Sequence, residues 1–109
     1  MGIQQAGLIE LEPADVAALM HSGQAVLVDV REEEEHAAER IPGTVLLPMS
    51  ELDVSAWPTF PGRTTVILCR GGIRSAAVGR KLLQAGHPVA IHLKGGLTAW
   101  KEAGLAVVP

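Results

Sequence analysis

Two short apolar runs that lack polar alternation, Ala25-Val26-Leu27-Val28 and Thr65-Val66-Ile67-Leu68, constrain the fold most. A strand with one wet face alternates, whereas a strand buried on both faces does not. Such strands belong to parallel sheets covered by helices. The rest of the chain supplies helices at the right intervals. Pro13 opens a helix carrying Val16, Leu19 and Met20, which Gly23 stops, with Glu12 at the cap position. The acids Glu32 to Glu35 open a second, favoured by the helix dipole and read as a solvated start, and Ile41-Pro42-Gly43 ends it. A third puts Val78, Leu82 and Ala85 on one stripe opposite Arg80 and Gln84, before Gly86. A fourth follows Gly95-Gly96, turns Leu97 and Trp100 inward and stops at Gly104. Further strands are expected at Ile9-Glu10-Leu11, Thr44 to Leu47 and Val89-Ala90-Ile91, and a short helix between Ser50 and Trp57, followed by a loop at Pro58, Pro61 and Gly62. The alternation predicts an α/β fold: a mostly parallel central sheet of about five strands flanked by helices on both faces.

A chain of 109 residues with 48% hydrophobic content fits one domain, residues 1–109. Its apolar runs fall far short of the roughly 20 residues that cross a bilayer, so no membrane partner is expected. Met1-Gly2-Ile3-Gln4-Gln5 lacks the charged and apolar segments of a secretory signal, which makes the cytoplasm the expected compartment. A net charge of −3 with nine dispersed basic residues gives no footprint for nucleic acid. The single cysteine excludes an internal disulfide.

That cysteine lies at the end of the second apolar run, in Cys69-Arg70-Gly71-Gly72-Ile73-Arg74-Ser75. A strand that ends at a thiol, turns through two glycines and enters a helix aims backbone N–H groups at the sulfur. Helix N-termini and N–H nests favour negative charge, and Arg70 and Arg74 add formal positive charge. Such surroundings favour the thiolate, the nucleophilic form. Unpaired cysteine is otherwise a small buried hydrophobe, but the glycine pair, both arginines and the strand-to-helix switch argue for chemistry. Ligands of open parallel sheets bind beyond the C-terminal strand ends, where this loop falls.

Other candidates carry less. His21, His36, His87 and His92 show no metal-ligand spacing with Cys69 or one another and are read as surface or packing residues, so no metal is expected. His21 at a helix end suits the dipole. Trp100 is read as core from its spacing to Leu97, while Trp57 beside Pro58 is a more open position. Asp29 and Arg31, an acid and a base at a strand end, are read as bracing neighbouring loops, and Lys94, before a glycine turn, as a supporting cation that could steer an anion.

Three motifs together resemble a single rhodanese domain, and the likeness runs from Ile9 to Val108. They are Leu27-Val28-Asp29-Val30-Arg31 with Glu35 and Ile41-Pro42-Gly43; Cys69-Arg70-Gly71-Gly72-Ile73-Arg74-Ser75; and Leu93-Lys94-Gly95-Gly96-Leu97-Thr98-Ala99-Trp100 with Ala103-Gly104-Leu105. The resemblance implies a rhodanese-like sulfurtransferase that takes sulfane sulfur from an anionic donor such as thiosulfate, holds it as a persulfide on Cys69, and passes it to a thiophilic acceptor. It implies no cofactor. The loop N–H groups from Arg70 through Ser75 would stabilise the outer sulfur, Arg74 would hold the loop or the donor, and Arg70 would attract the donor. Four residues separate Cys69 from Arg74; related phosphatases and arsenate reductases use a loop one residue longer, which suits a tetrahedral anion rather than one sulfur atom. Arg40 stands where the family usually has histidine, and Thr44 where alanine is common.

Two functions follow. One is an enzyme that moves sulfur from the donor to cyanide or a small thiol. The other is a persulfide carrier or docking module for a thiol-bearing partner protein, with low turnover on small donors. The intact nucleophile and glycines weigh against a non-catalytic domain. With no second cysteine in the chain, an outside acceptor must collect the sulfur in either case.

Overall fold

Every residue of β2 (Ala25–Asp29) is buried in the computed structural model, which describes residues 7–109. The segment Met1 to Gln5 read above for targeting lies outside the described residues. The chain runs β1 (Leu8–Leu11), α1 (Pro13–His21), β2, α2 (Glu33–Ala38), β3 (Val45–Leu46), two 3-10 turns (Met49–Glu51 and Val54–Ala56), β4 (Thr64–Leu68), α3 (Ile73–Gln84), β5 (Ala90–Leu93) and α4 (Gly96–Glu102). All five strands are parallel in the order β1-β5-β4-β2-β3, as the unalternated runs predict. β4 is the middle strand, and Cys69 is the first residue beyond its C-terminal end.

Strand parity divides the core. On one face Leu27, Val66, Leu68 and Leu93 pack under Val16 of α1 and Leu97 and Trp100 of α4. On the other, Val28, Ile67, Cys69 and Ala90 pack under Val78 and Leu82 of α3, with Leu47, Trp57 and Phe60 closing the margin. Burying each of the larger side chains is worth about 1.5–3 kcal/mol. α3 lies close to the sheet because Gly79 leaves room: a Cβ there would stand 2.7 Å from Leu8 Cδ1.

The structure corrects several boundaries. Only Val45 and Leu46 of the Thr44–Leu47 run form strand, since Pro48 follows and only β2 lies beside them. Val89 is exposed and precedes β5, which extends instead through His92 to Leu93. Ala85 is exposed at the C-cap of α3; Ser75 and Gly79 complete the stripe of Val78 and Leu82. The expected Ser50–Trp57 helix is two separate 3-10 turns. Arg40 and Thr44 have defined tasks: Arg40 pairs with Val108 through two backbone hydrogen bonds of 2.8 Å and donates from Nη1 to Pro109 O, and Thr44 Oγ1 lies 3.1 Å from His36 Nε2.

The Cys69 loop is fastened from beneath by α4. Leu97 N–H donates to Cys69 O at 2.9 Å and Thr98 N–H to Arg70 O at 3.0 Å. This approach needs a glycine at 96, where φ is +60° and a Cβ would lie 2.6 Å from the carbonyl carbon of Arg70. Gly71, in the loop itself, has nothing within 4 Å of an added Cβ. Gly96→Ala is therefore expected to cost about 1–3 kcal/mol in urea unfolding and to displace the loop, whereas Gly71→Ala stays within about 1 kcal/mol; equal costs would refute this account of the docking.

Candidate active site

Cys69 is buried, and its Sγ sits inside the turn that starts α3. Gly72 holds φ +102°, a conformation suited to glycine, and its N–H donates to Sγ at 3.0 Å. Gly72 is the loop residue whose N–H reaches the sulfur, so the contact is narrower than the nest expected from Arg70 through Ser75. Ser75 Oγ stands 3.4 Å from Sγ, 3.2 Å from Gly72 O and 2.9 Å from His92 Nδ1. Ile73 points outward, 82% exposed.

The two arginines of the loop differ in role. Arg70 is exposed and has no ion-pair partner among the described residues. Arg74 is engaged: its Nη1 and Nη2 donate to Glu35 Oε1 and Oε2 at 2.7 and 3.0 Å. This two-point geometry is the strong form of the carboxylate–guanidinium contact. It pushes the Arg74 pKa up, chiefly through the hydrogen bonds to Glu35, with the nearby Cys69 and Asp29 adding to the effect.

Glu35 is thus no idle member of a solvated acidic run. Its Oε1 also accepts from Glu32 N–H at 3.0 Å, while Glu32 reaches Ser50 of the neighbouring loop. The solvated reading holds for Glu33 and Glu34 but not for Glu35 or Glu32.

Asp29 and Arg31 form a buried ion pair that braces helix α2 and its C-cap rather than the neighbouring loops expected from their position. Arg31 Nη2 donates to Asp29 Oδ2 at 2.8 Å and to Glu39 O at 2.7 Å, and its Nη1 to Glu35 O at 3.3 Å. Arg31 also lines an open cavity of about 540 Å³ with Glu35, Arg70, Thr98 and Lys101, beside the Cys69 loop. Lys94 is exposed, lies 3.4 Å from Glu12 and is not among the residues lining that cavity. Among the described residues no three His, Cys, Asp or Glu side chains cluster as metal ligands.

Of the four histidines read above as surface or packing residues, His92 is a packed one whose contact with the loop the sequence did not indicate. It is 2% exposed, with Nδ1 on Ser75 and Nε2 3.3 Å from Glu10 Oε2. The signal was strand parity: Ala90 and His92 share a face, the one α3 covers. Placing the strand at Val89-Ala90-Ile91 stopped one residue short of it. Trp57 packs at the core margin and Trp100 is buried, its Nε1 donating to Ala106 O.

The hydrogen bonds from Arg74 hold the Glu35 carboxyl down from 4.5 to about 2, against the opposing effect of its partial burial. A carboxylate lowered on folding adds stability above its unfolded value, and that gain is lost as pH falls through the folded one. Both side chains are about one-third exposed, which keeps the gain near 1 kcal/mol. In urea unfolding, Glu35→Gln should be less stable than wild type by about 1 kcal/mol at neutral pH, and the gap should close as pH falls from 4.5 toward about 2. A gap that does not change with pH would contradict the pairing.

With this geometry established, the comparisons with known proteins are specific. The model of the Rhodanese-like domain matches residues 12–103. An uncharacterized protein of Synechocystis is 40% identical over 100 residues, covering 92% of this chain but 56% of its own length, so the chain spans little more than half of that relative. A sulfurtransferase of Allochromatium vinosum is 34% identical over 90 residues, 83% of this chain and 84% of its own. The crystal structure of a thiosulfate sulfurtransferase from Pseudomonas aeruginosa superposes with a TM-score of 0.79 at 30% identity, covering 93% of this chain and 20% of that one. No helix among the described residues is long and apolar enough to cross a membrane. The match over residues 12–103 makes this chain a member of the rhodanese-like domain family, to which it is joined by similarity to proteins named as sulfurtransferases.

Proposed function

We infer that the chain, read as one rhodanese domain over residues 1–109, moves sulfane sulfur from an anionic donor such as thiosulfate to cyanide or a thiol through a persulfide on Cys69. The observation that carries this reading is the 3.0 Å hydrogen bond from Gly72 N–H to Cys69 Sγ at the C-terminal end of the central strand. A donor aimed at sulfur in a turn that opens a helix is what an anionic sulfur nucleophile needs. The Cys69 thiolate attacks the outer sulfur of thiosulfate. A bond forms between the two sulfurs, the sulfur–sulfur bond of thiosulfate breaks, and sulfite leaves with the electron pair. Cyanide or a thiolate then attacks the outer sulfur of the persulfide and Cys69 departs as thiolate, so charge balances in both steps.

Arg70 suits the approach of the donor, being exposed and unpaired at the mouth of the cavity. Arg74, bound to Glu35, holds the loop rather than the donor. Gly71 and Ile73 complete the turn, and Asp29 and Arg31 support it from behind.

The exposure of Ile73 favours a second reading. A large apolar side chain 82% exposed beside the nucleophile is a contact point for a protein surface. In that reading the acceptor is a thiol-bearing protein and small-molecule turnover is low.

Intact mass after incubation with thiosulfate, compared between wild type and Cys69→Ser, tests the reading. Wild type should gain one sulfur that cyanide removes as thiocyanate, while the folded serine variant gains none. Turnover retained in Cys69→Ser would end the proposal. A persulfide that cyanide removes slowly but a partner thiol removes fast would select the carrier reading.

A further inference from the structure

Cys69, Ser75 and His92 form a continuous buried path from the sulfur to the half-exposed carboxylate of Glu10. The steps are 3.4 Å from Sγ to Ser75 Oγ, 2.9 Å from Oγ to His92 Nδ1 and 3.3 Å from Nε2 to Glu10 Oε2. Cys69, Ser75 and His92 are each no more than 2% exposed. Sulfur transfer as written above consumes no proton, yet a cysteine thiol must lose one before it attacks. The Gly72 N–H on Sγ can stabilise the thiolate but cannot accept that proton.

The hydrogen-bond inventory decides where it goes. Ser75 has one hydroxyl proton and three neighbours: Sγ, Gly72 O and His92 Nδ1. Glu10 fixes the histidine tautomer, because a carboxylate facing Nε2 requires a proton there. In the neutral ring Nδ1 is then the acceptor, so the Ser75 hydroxyl donates to it and Oγ is free to accept from the Cys69 thiol. All groups are satisfied. If the thiol ionises, the directions reverse: His92 Nδ1–H donates to Oγ, and the Ser75 hydroxyl donates to the sulfur anion.

We propose that His92 is the store for the Cys69 proton, a positioning residue that exchanges it with the sulfur through the Ser75 hydroxyl. The thiol proton passes to Ser75 Oγ as the original hydroxyl proton passes to His92 Nδ1. The products are a Cys69 thiolate and a His92 imidazolium, and Ser75 is unchanged. No electron moves and no co-reactant is needed. The imidazolium then faces the negative Cys69 sulfur in the thiolate state.

Charged groups around the pair act from two elements. Glu10 on β1 favours the imidazolium and Arg80 on α3 disfavours it, while Arg74 on α3 lies near the sulfur. Burial is the largest influence on His92 and pushes its pKa down; in the proposed transfer the proton arrives together with a negative charge on the sulfur, which offsets that cost.

The proposal deepens the persulfide reading but is tested without sulfur transfer, so either can fail alone. Ring-nitrogen NMR of His92 is followed against pH in wild type and in Cys69→Ala. With the sulfur present, the protonated ring should persist to higher pH, equivalent to about tenfold tighter proton binding, than in Cys69→Ala. Identical titrations would overturn the proposal, since a merely structural histidine does not sense the thiol. As a reciprocal test, thiolate ultraviolet absorbance at neutral pH should fall about tenfold in His92→Asn and less in Glu10→Gln, with both variants folded by circular dichroism. Unchanged thiolate in folded His92→Asn would also overturn it, and if that variant does not fold, the NMR comparison decides alone.

Discussion

The buried Asp29–Arg31 ion pair governs the shape of the site. Two charges withdrawn from water are costly unless their remaining hydrogen-bonding groups are satisfied. Arg31 meets that demand by spending its outer N–H groups on Glu35 O and Glu39 O, the backbone of α2 and the residue that ends it. The helix is thereby set against the end of β2, and its Glu35 is presented to Arg74. A side-chain pair at the end of one strand fixes a helix, which fixes an arginine, which fixes the turn around Cys69. A second fastening comes from below, where α4 donates N–H groups to Cys69 O and Arg70 O.

The two fastenings differ in kind. The one from α4 is backbone to backbone and depends on the missing side chain of Gly96. The one from α2 is ionic and weakens with acid. Between them the loop is held on both sides, while Arg70, Gly71 and Ile73 at its outer edge stay exposed.

Much of this was legible in the sequence. Unalternated runs at Ala25 to Val28 and Thr65 to Leu68 have one physical explanation, burial on both faces, and the parallel sheet with Cys69 at its central exit follows from it. That Asp29 and Arg31 pair with each other was legible too, because an acid and a base two residues apart at a strand end meet locally, whereas the helix they brace was not. Contacts between distant segments were not. Glu35 and Arg74 are 39 positions apart, and although the first motif singles out Glu35, nothing in the run of four glutamates says that it meets Arg74. The face of His92 was concealed because the expected strand, Val89 to Ile91, stopped short of it, whereas β5 runs from Ala90 to Leu93. The strand candidate at Thr44 to Leu47 shrank because a two-residue edge partner of β2 leaves almost no composition signal.

α2 has no buried residue. It is held to the domain by hydrogen bonds and charge rather than by apolar area, so separating it requires no exposure of the core. Elements of that sort open far more often than the whole molecule unfolds. Because α2 also lines the cavity that Arg70 borders, opening of that helix would widen the cavity while the sheet beneath Cys69 stays closed.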